Sequence, residues 1–130
     1  MNVETHRRLN PALCGAPGAL GTGTAEVLLH TTADMAADDE GLVHGGFVFG
    51  AADHAAMLAV NHPLVVLASA SCTFTAPVRV GETVRCTAER TAIDGRKHHV
   101  RVVATVDDRT VFTAEFLAAV PSRHVLAPRP

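Results

Sequence analysis

The best helix candidate in this chain is one segment, Gly45–Asn61, and almost everything between Pro63 and Val120 reads as strand. That order constrains the fold more than any other feature, because one helix must cover several strands. The segment is rich in alanine, has no interior proline and is stopped by Pro63. Gly45, Gly46 and Gly50 oppose helix propensity, each by about 1 kcal/mol relative to alanine. Glycines at a helix start point to close approach of some group to the backbone.

Period-two alternation defines the strands. Val65–Ala76 is the first after the helix. In Glu82–Ile93, Val84, Cys86 and Ala88 alternate with Arg85, Thr87 and Glu89. Asp94-Gly95 predicts a tight hairpin turn. His98–Val106 puts Val100, Val102, Ala104 and Val106 on one face, and Thr110–Val120 does the same with Phe112, Ala114, Phe116 and Ala118. Ahead of the helix, Thr24–Thr32 carries β-branched residues and reads as a strand. The expectation is a single α+β domain over residues 1–130, with one helix on an antiparallel sheet of about five strands. An irregular lead-in occupies residues 1–20, and a proline-containing tail residues 121–130.

Composition narrows the partners. The chain is 48% hydrophobic and 18% charged, which excludes a disordered polar chain. A net charge of -2 gives no electrostatic reason to expect nucleic acid or an anionic membrane as partner. No signal-like apolar stretch follows Met1, no run reaches membrane-spanning length, and the three cysteines show no paired spacing. A cytoplasmic location is therefore expected. With five Phe and neither Trp nor Tyr, the apolar content is mostly small residues. Such a thin core predicts that a second copy of the chain supplies the missing surface.

The chemistry-bearing segment is His44-Gly45-Gly46-Phe47-Val48-Phe49-Gly50-Ala51-Ala52-Asp53. At 100° per residue, Asp53 lies about 20° from Gly46 on the helix surface, on a stripe that continues through Phe49, Met57 and Val60. An ionised carboxylate on an apolar stripe is costly unless paired. The Gly-Gly helix start offers free N–H groups at the positive end of the dipole, with no side chains in the way. Carboxylate and oxyanion donors on one face suit attack of water on a carbonyl. A solvated Asp and an ordinary Gly-Gly turn are the plain alternatives for each signal alone.

The HGG-x6-D pattern opening an alanine-rich helix, followed by the strand pattern FTAPVRVGETV (Phe74–Val84), resembles the hotdog-fold acyl-CoA thioesterases. The branch it is most similar to is that of phenylacetyl-CoA thioesterases. The resemblance covers roughly residues 20–120. It implies a central helix wrapped by an antiparallel sheet, and a homodimer or dimer of dimers with a continuous sheet and active sites at the dimer interface. It also implies an acyl-CoA or related thioester substrate, with coenzyme A entering only as part of that substrate and no separate cofactor. Asp53 is then general base or nucleophile, Gly45 or Gly46 polarises the thioester carbonyl, and His44 helps orient it. Phe47 beside the glycines is a candidate substrate contact.

The resemblance departs at one position: many members carry Asn six residues before the His, where this chain has Asp38 within an acidic cluster. Ser69 and Ser71, on the strand after the helix, fit either a hydroxyl near the thioester or ordinary strand serines. Arg79, Arg96 and Lys97 are candidates for the coenzyme A phosphates. Arg101 and His98-His99 are comparable, and a solvated hairpin tip is the alternative for the latter. His54 and His62 lack ligand spacing, so surface or interface histidines are expected and no metal site. Cys72 reads as a small apolar filler of a core strand. Two other functions stay open. Asp39 and His44 have the five-residue Asp/His spacing of hotdog hydratases but lack the intervening Asn-Pro, and an acyl-CoA-binding module without turnover fits the Asp38 departure.

Overall fold

The computed structural model describes residues 1–128. Its elements are α1 (Pro11–Cys14), β1 (Ala16–Gly21), β2 (Thr24–His30), the long helix α2 (Gly45–Val60), β3 (Val66–Phe74), β4 (Thr83–Asp94), β5 (Lys97–Val106) and β6 (Arg109–Ala119). All six strands form one antiparallel sheet in the order β1-β2-β4-β5-β6-β3. The helix lies mainly across β2 and β4, then β5, which is the hotdog arrangement.

The period-two reading holds for the central strands. Val84, Cys86 and Ala88 of β4, Val100 to Val106 of β5 and Phe112 to Ala118 of β6 point their alternate residues into the core. Both hairpins use two-residue turns that need a left-handed backbone at their first position. Gly95 has φ +60° between Asp94 and Lys97, and Asp107 has φ 52° between Val106 and Arg109. On the helix side the core is Ala51, Ala52, Ala55, Ala56, Met57, Leu58 and Ala59. Short side chains here let the helix sit close to the sheet.

Three expectations are corrected. The sheet has six strands rather than about five, because the lead-in is not irregular: it holds α1, and β1 pairs with β2 through Ala16↔Leu28 and Gly21↔Thr24. Local propensity opposes a strand in APGALG, but an available sheet edge overrides it, and an edge tolerates Pro17. His54 is not at the surface. It is buried, and its Nδ1 donates to the Cys14 carbonyl at 3.0 Å, holding the lead-in on the helix. Burial pulls its pKa below the ordinary histidine value, with the backbone hydrogen bonds opposing. Cys72 is exposed on β3, whereas Cys86 is the buried cysteine, its thiol pushed up to about 12 by burial.

The two sheet edges differ. β1 is blunted by proline and glycine. β3, VLASASCTF, has seven exposed residues in its nine and carries neither charge nor proline to discourage pairing. The tail from Pro121 has no regular element, its one turn being closed by Ala127 N–H to the His124 carbonyl, and residues 129 and 130 lie outside the described residues. No helix among the described residues is long and apolar enough to cross a membrane.

Candidate active site

Helix α2 begins without a side-chain cap. His44 occupies the N-cap position in extended conformation, but its side chain makes no capping bond. The Phe47 amide takes the His44 carbonyl at 3.1 Å. The amides of Gly45 and Gly46 donate to no group among the described residues. A Ser or Asp at the cap would accept an N–H of the first turn, so histidine leaves these donors available. The loop that delivers them is anchored from two directions, by His44 N–H to the Met35 carbonyl at 2.8 Å and Val43 N–H to the Val78 carbonyl at 2.9 Å. The APVRV segment is thereby tied to the helix start.

Each of the first two glycines answers to a neighbouring ring. A Cβ on Gly45 would lie 3.0 Å from the Phe74 ring, and one on Gly46 would lie 3.2 Å from the His44 imidazole. Phe74 in turn stacks edge-on against Phe112 at 5.0 Å, and Phe112 and Phe116 both meet Phe49. Four of the five phenylalanines thus form a chain of contacts that ends on the helix start.

Asp53 sits two turns further along the same helix face. It is partly exposed as a residue, yet its Oδ1 is buried and has no hydrogen-bond partner. Burial raises its pKa to about 6. From Gly46 the axial rise over seven residues is about 10 Å. In a water-mediated attack the water lies about 3 Å from the carbonyl carbon and within hydrogen-bond reach of the group that activates it.

Two contiguous cavities open beside the helix start. The inner one, about 360 Å³, is lined by Gly45, Val48, Phe74, Val78 and Val111 among others. It shares Leu42, Ala76, Pro77 and Val78 with an outer one of about 410 Å³, whose mouth carries Asp38, Glu40, Arg79 and Arg109. Asp38 is already engaged: its Oδ1 accepts the amides of Glu40 at 2.9 Å and Leu42 at 3.2 Å. Arg109 is held by Glu82 at 3.3 Å and by the Pro77 carbonyl. Arg79 is exposed at the rim.

The remaining candidates are dispersed. Ser69 and Ser71 pair with Leu117 and Glu115, opposite the core-facing register of Cys72↔Ala114, so both serines lie on the outer face of the sheet. Arg96 and Lys97 are at the β4–β5 hairpin, about 23 Å along β5 from Ala104, whose partner Phe112 carries the Phe74 ring at the helix start. Phe47 is half-buried, its ring edge-on to His44 at 6.2 Å. Phe74 and Val78 were not legible as site residues, since only the pairing of β3 with β6 and the return of the APVRV segment bring them to Gly45.

A family model described as the thioesterase superfamily matches residues 40–113, more than half of the chain and the part containing both glycines and Asp53. The chain belongs to the thioesterase superfamily. The structure is similar to protein PH1136 from Pyrococcus horikoshii (TM-score 0.96, 42% identity, 98% of both chains). It is also similar to a mutant of the phenylacetic acid degradation protein PaaI from Thermus thermophilus (TM-score 0.77, 27% identity, 85% of this chain and 96% of that one). Two curated relatives match in sequence. Methylthioribose-1-phosphate isomerase of Aquifex aeolicus is 49% identical over 116 residues, which is 89% of this chain but 25% of that protein. Transcription factor FapR of Shouchella clausii is 38% identical over 76 residues, 58% of this chain and 40% of that protein. The chain thus spans well under half the length of either curated relative.

Proposed function

We propose that this superfamily member hydrolyses acyl-CoA or a related acyl thioester in a site built from two copies of the chain. The observation that carries the reading is a pair of complementary features on one helix: a carboxylate oxygen of Asp53 buried without a partner, and the two amides of Gly45 and Gly46 left without acceptors. Two copies related by a two-fold axis put Asp53 of one opposite Gly45 and Gly46 of the other. Asp53 takes a proton from water as its oxygen attacks the thioester carbon. The Gly45 and Gly46 N–H groups hold the negative oxygen of the tetrahedral intermediate. As the carbon–sulfur bond breaks, Asp53 returns the proton to the leaving thiolate. A pKa near 6 suits a base that must be ionised at neutral pH and still hold a proton briefly. In this reading the apolar cavity beside Gly45 takes an apolar part of the substrate, and Arg79 at the rim of the adjoining cavity meets a phosphate of coenzyme A.

The test is thiol release from a panel of short, long and aryl acyl-CoAs, with turnover of at least one expected; no release from any of them sinks the proposal. A narrower prediction concerns Gly45→Ala. The added methyl crowds the Phe74 ring and shields the amide, so thiol release is expected to fall about 100-fold, the range for loss of one oxyanion donor. An unchanged rate in the folded variant would remove Gly45 from the mechanism.

Binding without turnover is the second reading, favoured by the similarity to a transcription factor and by Asp38 being engaged in its own loop. Saturable acyl-CoA binding with no thiol released separates it from hydrolysis.

A further inference from the structure

Residues 1–15 lie along one flank of α2, gripped by a side chain of the helix and by its C-cap. Seven residues separate His54 from Asn61, so the two stand about 20° apart on the helix surface. Asn61 holds one end of the segment: its Oδ1 accepts the Glu4 amide at 2.9 Å and its Nδ2 donates to the Asn2 carbonyl at 2.8 Å. His54 holds the other end through the Cys14 carbonyl. Between these grips the chain turns at His6, which has φ +55° without being glycine. The His6 Nδ1 shares a hydrogen bond of 2.7 Å with the hydroxyl of Thr5, a buried residue. A left-handed histidine persists only where surrounding contacts maintain it.

We propose that residues 1–15 form a strap whose latch is the His6–His54 pair, closed while both imidazoles are neutral and opened when the pair takes up protons. Among the described residues, no carboxylate pairs with either ring. Burial, and then the charge His54 would carry, hold the pKa of His6 below the ordinary histidine value; burial does the same to His54. In a released strap both rings meet water and regain ordinary basicity, so opening binds protons. The closed state is fully favoured above the free-histidine value of 6.5 and loses that advantage as pH falls below it. Other titratable groups on the packed elements are few. Cys14 is the one on α1, β1 has none, and Asp53 points about 100° around α2 from His54. Beneath the helix, β2 and β6 present apolar side chains, and β4 presents the Cys86 thiol, kept neutral by burial. Arg90 of β4 lines a cavity with Glu4 and Asn61, and His98 of β5 lies near it. Glu4, Arg7 and Arg8 of the strap itself are exposed.

Amide hydrogen exchange on the intact chain tests the latch, read by mass spectrometry at pH 7.5 and pH 5 after correction for intrinsic exchange rates. The opening equilibrium of residues 1–15 is expected to rise about 10-fold or more at the lower pH, while β4 and β5 keep their protection. His6→Asn leaves a residue that tolerates positive φ, and His54→Gln leaves a donor for the Cys14 carbonyl. Each should flatten the pH response, and the double variant should abolish it. A strap equally protected at both pH values overturns the proposal. So does a double variant with the full parental response, which would assign it to a carboxyl such as Glu4 or Asp53. Joint loss of protection in strap and sheet also overturns it, since the whole fold would then be opening. If His54→Gln fails to fold, His6→Asn decides, because His6 is half-buried and makes its hydrogen bond within the strap; a parental response there overturns the latch. No turnover is required, so the outcome is independent of the proposed hydrolysis.

Discussion

Replacing Asp53 with asparagine is expected to make the chain more stable at pH 8 while lowering thiol release by about 1000-fold, within the range for loss of a general base. The two effects have one cause. Burial without a partner raises the Asp53 pKa to about 6, above the ordinary aspartate value of 3.8, so the folded chain holds a proton that the unfolded chain has lost. Stability on this account is fully present below about pH 4 and declines as pH rises through 6. Above pH 7 the ionised carboxylate costs about 1–2 kcal/mol, after allowance for its partial exposure to solvent. Asparagine removes the charge and with it the penalty. Thermal melting of parent and variant should therefore coincide near pH 4, separate as pH rises through 6 and stay separated by a constant interval above about pH 7, with Asp53→Asn melting higher. In the parent, kcat/KM should climb with pH through about 6 and then level off. A variant that melts lower at every pH would show that Asp53 is a structural group, and retained turnover would end its role as base.

The second large effect is on stability. Phe112→Ala is expected to cost about 3–5 kcal/mol, because Phe112 is fully buried and its loss leaves a cavity in a core made mostly of Ala and Val. For a chain of this size that corresponds to a fall in Tm of roughly 10–20 °C. Phe112 also carries the Phe74 ring, which bounds the helix start at Gly45. Thiol release per folded molecule should drop as well. Phe116→Ala is the comparison: Phe116 is equally deep but meets Phe49 rather than Phe74. Its expected outcome is a similar loss in Tm with turnover per folded molecule retained. Equal losses of activity in both variants would mean that Phe74 does not depend on Phe112.

The parts of this fold that were legible in the sequence are those where side-chain periodicity and local turn chemistry agree. β4, β5 and β6 alternate cleanly because one face of each is buried under the helix and the other meets solvent. Asp94-Gly95 named its hairpin because few residues adopt a positive φ. β1 was not legible, since its strand state comes from pairing with β2 and not from its own residues. The same limit applies to Cys72 and to Ser69 and Ser71. Their exposure follows from β3 being placed at the sheet edge beside β6, a neighbour about forty residues away in sequence.

For the candidate site the division is similar. Helical geometry alone put Asp53 and Gly46 on one face, because 3.6 residues per turn is a property of the backbone. The sequence by itself therefore determined the helix, the strands that follow it and the shared helix face of Asp53 and Gly46. Only the tertiary structure decided that the amides stay uncapped, that Phe74 rather than a nearer residue bounds Gly45, and that Oδ1 of Asp53 is buried without a partner. Burial and hydrogen-bond satisfaction depend on atoms brought in from distant strands and loops, which local spacing does not specify.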